Sequence, residues 1–113
     1  MKIAVSSTGK NLTDNVSDVF GRSPYFVIAE IENGDIKKAE VIENENADQV
    51  GGAGISAAQL MAEKNVNAVI TGNVGPRALD VLRQFNIKVY YGDGVIKEAL
   101  QEFIDGKLKE IER

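Results

Sequence analysis

A chain of 113 residues, 43% hydrophobic and 27% charged, has the size and composition of one globular domain with one core, not of a disordered segment. It contains no cysteine and no histidine, which excludes disulfides, thiolate metal sites, cysteine nucleophiles, and the commonest general base and metal ligand. A net charge of -4 argues against nucleic acid as a partner, and no apolar run nears the roughly 18 residues that span a bilayer, so we expect a cytoplasmic protein that begins at Met1 without a signal peptide.

Lys2-Ile3-Ala4-Val5-Ser6 is a short apolar run that meets the polar stretch Ser7-Thr8-Gly9-Lys10-Asn11, which predicts a buried strand feeding a loop. Tyr25 to Ile31 and Ile36 to Ile42 are rich in β-formers and flank Asn33-Gly34, a pair that tolerates positive φ. An antiparallel hairpin follows from that pattern. After the polar stretch Glu43 to Gln49, the run Gly51-Gly52-Ala53-Gly54 opens a segment with Ala57, Leu60 and Met61 at helical spacing, predicting a helix to about Lys64. Asn67 to Thr71 reads as a strand. Gly72-Asn73-Val74-Gly75-Pro76 then leads into a helix carrying Ala78, Leu79, Leu82 and Phe85, with proline suited to its first turn. Ile87 to Tyr91, Gly92-Asp93-Gly94, and Ile96, Ala99, Leu100, Phe103 and Ile104 repeat strand, loop and helix, with Gly106 as the stop.

Crossovers of this length favour parallel pairing. The prediction is a mixed five-stranded α/β sheet flanked by helices, in which Ile3 to Ser6, Asn67 to Thr71 and Lys88 to Tyr91 are parallel central strands beside the N-terminal antiparallel hairpin. In open sheets of this kind, ligands bind beyond the carboxyl ends of the parallel strands. Three such ends lead into the loops Ser6 to Asn11, Gly72 to Gly75 and Gly92 to Gly94, and Gly51 to Ser56 opens another helix. Helix starts present unpaired N–H groups and the positive end of the dipole, which favour an anion. The candidate ligand-binding residues are Lys10, Gly51, Gly52, Gly54, Ser56, Gly72, Asn73, Gly75 and Arg77 on or beside these loops, together with Phe20, Gly21 and Arg22 of a separate turn. Arg22 and Arg77 each adjoin a turn-forming Gly or Pro and can offer a bidentate fork.

Better-known motifs fit less well. Gly52-Ala53-Gly54-Ile55-Ser56-Ala57 satisfies G-x-G-x-x-A, yet it does not directly follow a parallel strand, and glycine stands near the position where the pattern wants an acid. Gly72-x-x-Gly75 lacks the basic surround of a nucleic-acid clamp. Thr8-Gly9-Lys10-Asn11 lacks the first glycine and the Ser/Thr of a P-loop. The carboxylates Asp14, Asp18, Glu30, Asp80 and Asp93 are the available set for metal-assisted hydrolysis, though solvated surface carboxylates share that description.

Val19-Phe20-Gly21-Arg22-Ser23-Pro24-Tyr25-Phe26, then Gly51 to Gly54, then Val69-Ile70-Thr71-Gly72-Asn73-Val74-Gly75-Pro76-Arg77-Ala78 together resemble the dinitrogenase iron-molybdenum cofactor biosynthesis domain over nearly the whole chain. The resemblance implies a ribonuclease-H-like mixed sheet with helices on both faces. It also implies kinship with proteins that carry the iron-molybdenum cofactor or its iron-sulfur precursors, and cofactor-assembly proteins as partners. Many relatives place a histidine just before the glycine run, where this chain has Asp48-Gln49-Val50. A cluster here would be held without Cys or His, by backbone N–H groups, by Lys10, Arg22 or Arg77, or by oxygen ligands. The leading expectation is a non-catalytic carrier of a small anionic ligand or metallocluster. Its alternatives are a carboxylate and metal-dependent hydrolase on a ribonuclease-H-like fold, and a protein-interaction or regulatory module.

Overall fold

The computed structural model describes residues 1–112. Five strands and three helices follow in the order β1 (Lys2–Ser7), β2 (Tyr25–Glu32), β3 (Asp35–Glu43), α1 (Ala53–Glu63), β4 (Ala68–Thr71), α2 (Pro76–Gln84), β5 (Lys88–Tyr91) and α3 (Ile96–Ile104). The sheet order is β3-β2-β1-β4-β5. β1 pairs antiparallel with β2 and parallel with β4, so Ala4 lies between Ile28 and Val69. β4 and β5 are also parallel, as the crossover lengths predict.

One part of the expectation is corrected. Lys88 to Tyr91 is parallel but not central: β5 ends the sheet order, and the chain after α3 folds back to cover it. The Tyr91 N–H donates to the Lys109 carbonyl at 2.8 Å, and the Ile111 N–H donates to the Val89 carbonyl at 2.7 Å. A four-residue strand with both end residues, Lys88 and Tyr91, exposed has little apolar surface to put between two neighbours, whereas Ile3, Ala4 and Val5 are wholly buried at the centre.

β2 and β3 form the predicted hairpin. Asn33 at φ 52° and Gly34 at φ 80° make a two-residue turn with positive φ at both positions, whose twist matches that of the strands. A Cβ on Gly34 would meet nothing within 4 Å. Gly34→Ala is therefore expected to cost about 1 kcal/mol through backbone strain alone, read as a lower urea midpoint with an unchanged slope.

The sheet separates two apolar layers. On one face Ala57, Ala58 and Met61 of α1 and Ala78, Leu79 and Leu82 of α2 pack with Ala4, Ile28 and Val69. On the other, Ile96, Ala99 and Leu100 of α3 pack with Ile3, Val5, Val27 and Ile70. Alternation along β1 sends Ala4 one way and Ile3 and Val5 the other, which is why a continuous apolar run serves both layers. Gly106, at φ 72°, stops α3 in the left-handed conformation that glycine tolerates. No helix among the described residues is long and apolar enough to cross a membrane.

Candidate functional site

α1 and α2 lie side by side, and their N-termini open on the same cavity of about 490 Å³. Its wall is built from Val19 to Arg22, Gly52 to Ile55, and Asn73 with Gly75 to Ala78. Eight of the sequence-derived candidates line it: Phe20, Gly21, Arg22, Gly52, Gly54, Asn73, Gly75 and Arg77.

The close approach of these segments depends on missing side chains. A Cβ on Gly21 would sit 2.6 Å from both the Cα and the N of Gly54, and one on Gly54 would sit 3.1 Å from the Ala78 Cβ. Loop 20–22, the first turn of α1 and the first turn of α2 are thus stacked almost backbone to backbone. Phe20 anchors the loop from beneath. It is 1% exposed, and its ring lies 5.4 Å from that of Phe26 at a tilt of 56°.

Neither helix start at the cavity has a side-chain cap or an acidic residue in its first turn. The first intrahelical acceptors serve Ser56, which donates to the Gly52 carbonyl, and Leu79, which donates to the Gly75 carbonyl. The amides of Ala53, Gly54 and Ile55 on α1, and of Arg77 and Ala78 on α2, have no acceptor among the described residues. Pro76 at the first position of α2 has no N–H to offer. α3 is arranged differently: Glu98 stands in its first turn, the Ile96 N–H donates to the Asp14 carbonyl at 2.9 Å, and the Lys97 N–H donates to the Leu12 carbonyl at 3.0 Å. The Gly92 to Gly94 loop therefore leads to a helix start already occupied by the protein itself.

The other candidates stand outside this wall. Lys10 holds its ammonium 5.6 Å from the Tyr25 ring centroid. The Gly51 carbonyl accepts from Gln49 Nε2 at 2.5 Å, and the Ser56 hydroxyl faces Gln49 Oε1 at 3.4 Å. Gly72 serves a close crossing, since a Cβ there would lie 2.7 Å from the Cα of Asp18. Residues Ser6 to Asn11 do not line the cavity. Ser6 is buried, with its hydroxyl 2.8 Å from that of Thr71, and Thr71 in turn faces the Asn73 carbonyl at 3.4 Å. This buried pair ties the ends of β1 and β4 to the loop that carries Asn73.

Sequence reasoning marked Ala53, Ile55 and Pro76 within the segments 51–56 and 72–77 but missed Val19 and Ala78; all five line the cavity. It also missed Asn44, whose buried amide donates to the carbonyls of Gly21 at 3.0 Å and Ser23 at 2.8 Å. The first-turn positions were findable as the residues directly after each glycine run. Asn44 carries no comparable signal, because an asparagine in a polar stretch looks like any loop residue.

Among the described residues, no group of three or more His, Cys, Asp or Glu side chains is placed to hold a metal ion. Asp14 is engaged locally, with Oδ2 accepting from the Asn11 N–H at 2.9 Å.

Comparison with known proteins finds relatives along nearly the whole chain. An uncharacterized protein of Methanocaldococcus jannaschii is 41% identical over 113 residues, covering 99% of this chain and 92% of its own. The apo form of the orange protein from Desulfovibrio gigas superposes with a TM-score of 0.90 at 33% identity, covering 97% of this chain and 92% of that one. The NMR structure of a candidate NifB protein from Thermotoga gives a TM-score of 0.81 at 37% identity, covering 99% of this chain and 97% of that one. The sequence profile described as dinitrogenase iron-molybdenum cofactor matches residues 1–106, and the chain belongs to that family.

Proposed function

We propose that this chain is a non-catalytic, cytoplasmic carrier that holds an anionic ligand in the cavity between the N-termini of α1 and α2. The cargo fitting the family is the iron-molybdenum cofactor or an iron-sulfur precursor, exchanged with other cofactor-assembly proteins and held without Cys or His. The observation that carries the proposal is the pair of uncapped helix starts, free of their own carboxylates, on a wall that also includes Arg22 and Arg77. Five amides without acceptors would otherwise be left to water, and an anion satisfies them while meeting two aligned dipoles. The remaining wall, including Val19, Phe20, Ile55 and Ala78, is apolar and suits a bulky, weakly hydrated ligand.

A hydrolase on the ribonuclease-H-like reading of this sheet would need clustered carboxylates to hold its metal. Among the described residues, no group of three or more such side chains is placed to do so. Two measurements test the carrier. Molybdate, phosphate and sulfate titrations followed by amide NMR are expected to give saturable shifts at 53–55 and 77–78; shifts confined to other surfaces would refute the site. Native mass spectrometry of protein isolated anaerobically from its own host is expected to show added mass from molybdenum, iron or sulfur. Metal-dependent nuclease or phosphatase turnover abolished in Asp14→Ala, Asp18→Ala or Asp80→Ala would refute the non-catalytic assignment.

A further inference from the structure

Between β3 and α1 the chain crosses residues 44–52 with little apolar burial to hold it. Val50 is fully exposed, and only Ala47 and Gln49 between residues 45 and 52 are even half-buried. Its own backbone bonds are local turns, from the Ala47 N–H to the Asn44 carbonyl and from the Gln49 N–H to the Asn46 carbonyl, each at 3.2 Å. Asn44 anchors the start and Gln49 contacts the first residues of α1 at the end. Between these anchors the long-range tie is Arg22, whose Nη1 donates to the Ala47 carbonyl at 2.9 Å and to the Gln49 carbonyl at 3.1 Å.

Arg22 also lines the cavity. A guanidinium carries five N–H donors; the two on Nη1 are committed to the crossing, and those on Nη2 and Nε remain. We infer that Arg22 couples the cavity to segment 45–51: an anion engages its Nη2/Nε edge while Nη1 keeps the carbonyls of Ala47 and Gln49, so ligand occupancy and ordering of the segment reinforce each other. This rests on the anion-binding reading of the cavity. The physical reason is shared immobilisation. Once the two carbonyls restrict the long side chain, less rotamer freedom is lost when an anion arrives, and linkage makes the effect reciprocal. The segment also connects directly to Gly52 and the first turn of α1, so ordering it steadies the amides of Ala53 to Ile55.

Amide hydrogen exchange on the full chain, with and without saturating sodium molybdate at matched ionic strength, tests the coupling. Molybdate is expected to slow exchange of 45–51 by at least about fivefold, the lower range of ordinary site-to-site coupling. In Arg22→Lys, which keeps the charge but not the planar fork, molybdate affinity is expected to fall about tenfold. At saturation in that variant, protection persists at 53–55 but is lost at 45–51. Arg77→Gln, which removes a cavity arginine without touching the crossing, is expected to weaken affinity while keeping the protection of 45–51 at saturation. If molybdate protects 53–55 and 77–78 in the parent but leaves 45–51 unchanged or faster, the coupling is wrong and the anion site stands. If molybdate protects no part of the cavity wall, both fall together. The parent comparison decides the matter even if Arg22→Lys fails to fold.

Discussion

Gly21→Ala is expected to lower folding stability by about 3 kcal/mol, at the upper end of the usual cost of overpacking. The added Cβ would stand 2.6 Å from the Cα and N of Gly54 and 3.1 Å from the carbonyl carbon of Ala53. These are backbone atoms at the start of a helix, so no side chain can swing aside to relieve the contact. Moving α1 outward is blocked in turn, because its residues Ala57, Ala58 and Met61 are packed into the core. Loop 20–22 cannot simply lift either, since Phe20 is buried beneath it and Asn44 holds the Gly21 carbonyl. The control is Gly75→Ala, on the same cavity wall at φ -69° with nothing within 4 Å of its Cβ position. Alanine is a poorer N-cap than glycine but narrows the unfolded ensemble, and the two opposed effects leave an expected change of less than about 0.5 kcal/mol. Urea unfolding of the three proteins under one condition separates the cases. A Gly21→Ala midpoint close to the parent's would show that the crossing is looser than the structure has it.

Gly75→Asp is expected to raise stability by about 1 kcal/mol and at the same time weaken molybdate binding by at least about tenfold. Gly75 is the N-cap of α2, with the extended backbone (φ -69°, ψ 157°) that a capping residue needs. An aspartate there accepts from the Arg77 or Ala78 amide and places a charge at the positive end of the helix. Both effects stabilise the fold, and replacing glycine also narrows the unfolded ensemble. The same carboxylate would take an amide that the proposed anion needs and would repel it. Opposite signs for stability and binding are the signature, since a merely damaged protein would lose both. Gly75→Asn, which caps without charge, is expected to bind with intermediate affinity. Unchanged molybdate affinity in Gly75→Asp would remove the start of α2 from the site.

The motif F-G-R-x-P-Y-F was visible in the sequence, but its physical content was not. Phe20 and Phe26 could have been read as core residues by type. That Gly21 exists to let a loop cross a helix start, and that Arg22 spends Nη1 on two carbonyls, follows only when residues more than twenty positions apart are brought together. The loop Ser6 to Asn11 shows the converse. By composition it was as good a ligand loop as Gly72 to Gly75, yet the cavity is formed without it. Gly92 to Gly94 likewise matched the pattern, and the structure spends the helix start behind it on carbonyls of residues 12 and 14.

Composition and local pattern sufficed to determine the class of fold, the element order, the hairpin turn at Asn33-Gly34 and the absence of thiol or imidazole chemistry. These properties depend on periodicity and residue type, which act over a few neighbouring positions. The position of β5 at one end of the sheet order, the choice of two helix starts out of three, and the exclusion of Lys10, Gly51, Ser56 and Gly72 from the cavity wall were decided by tertiary structure. Each depends on which backbone polar groups find partners from distant parts of the chain. An amide at the start of α3 is chemically the same as one at the start of α1; only the packing of residues 12–14 against the first makes it unavailable to a ligand.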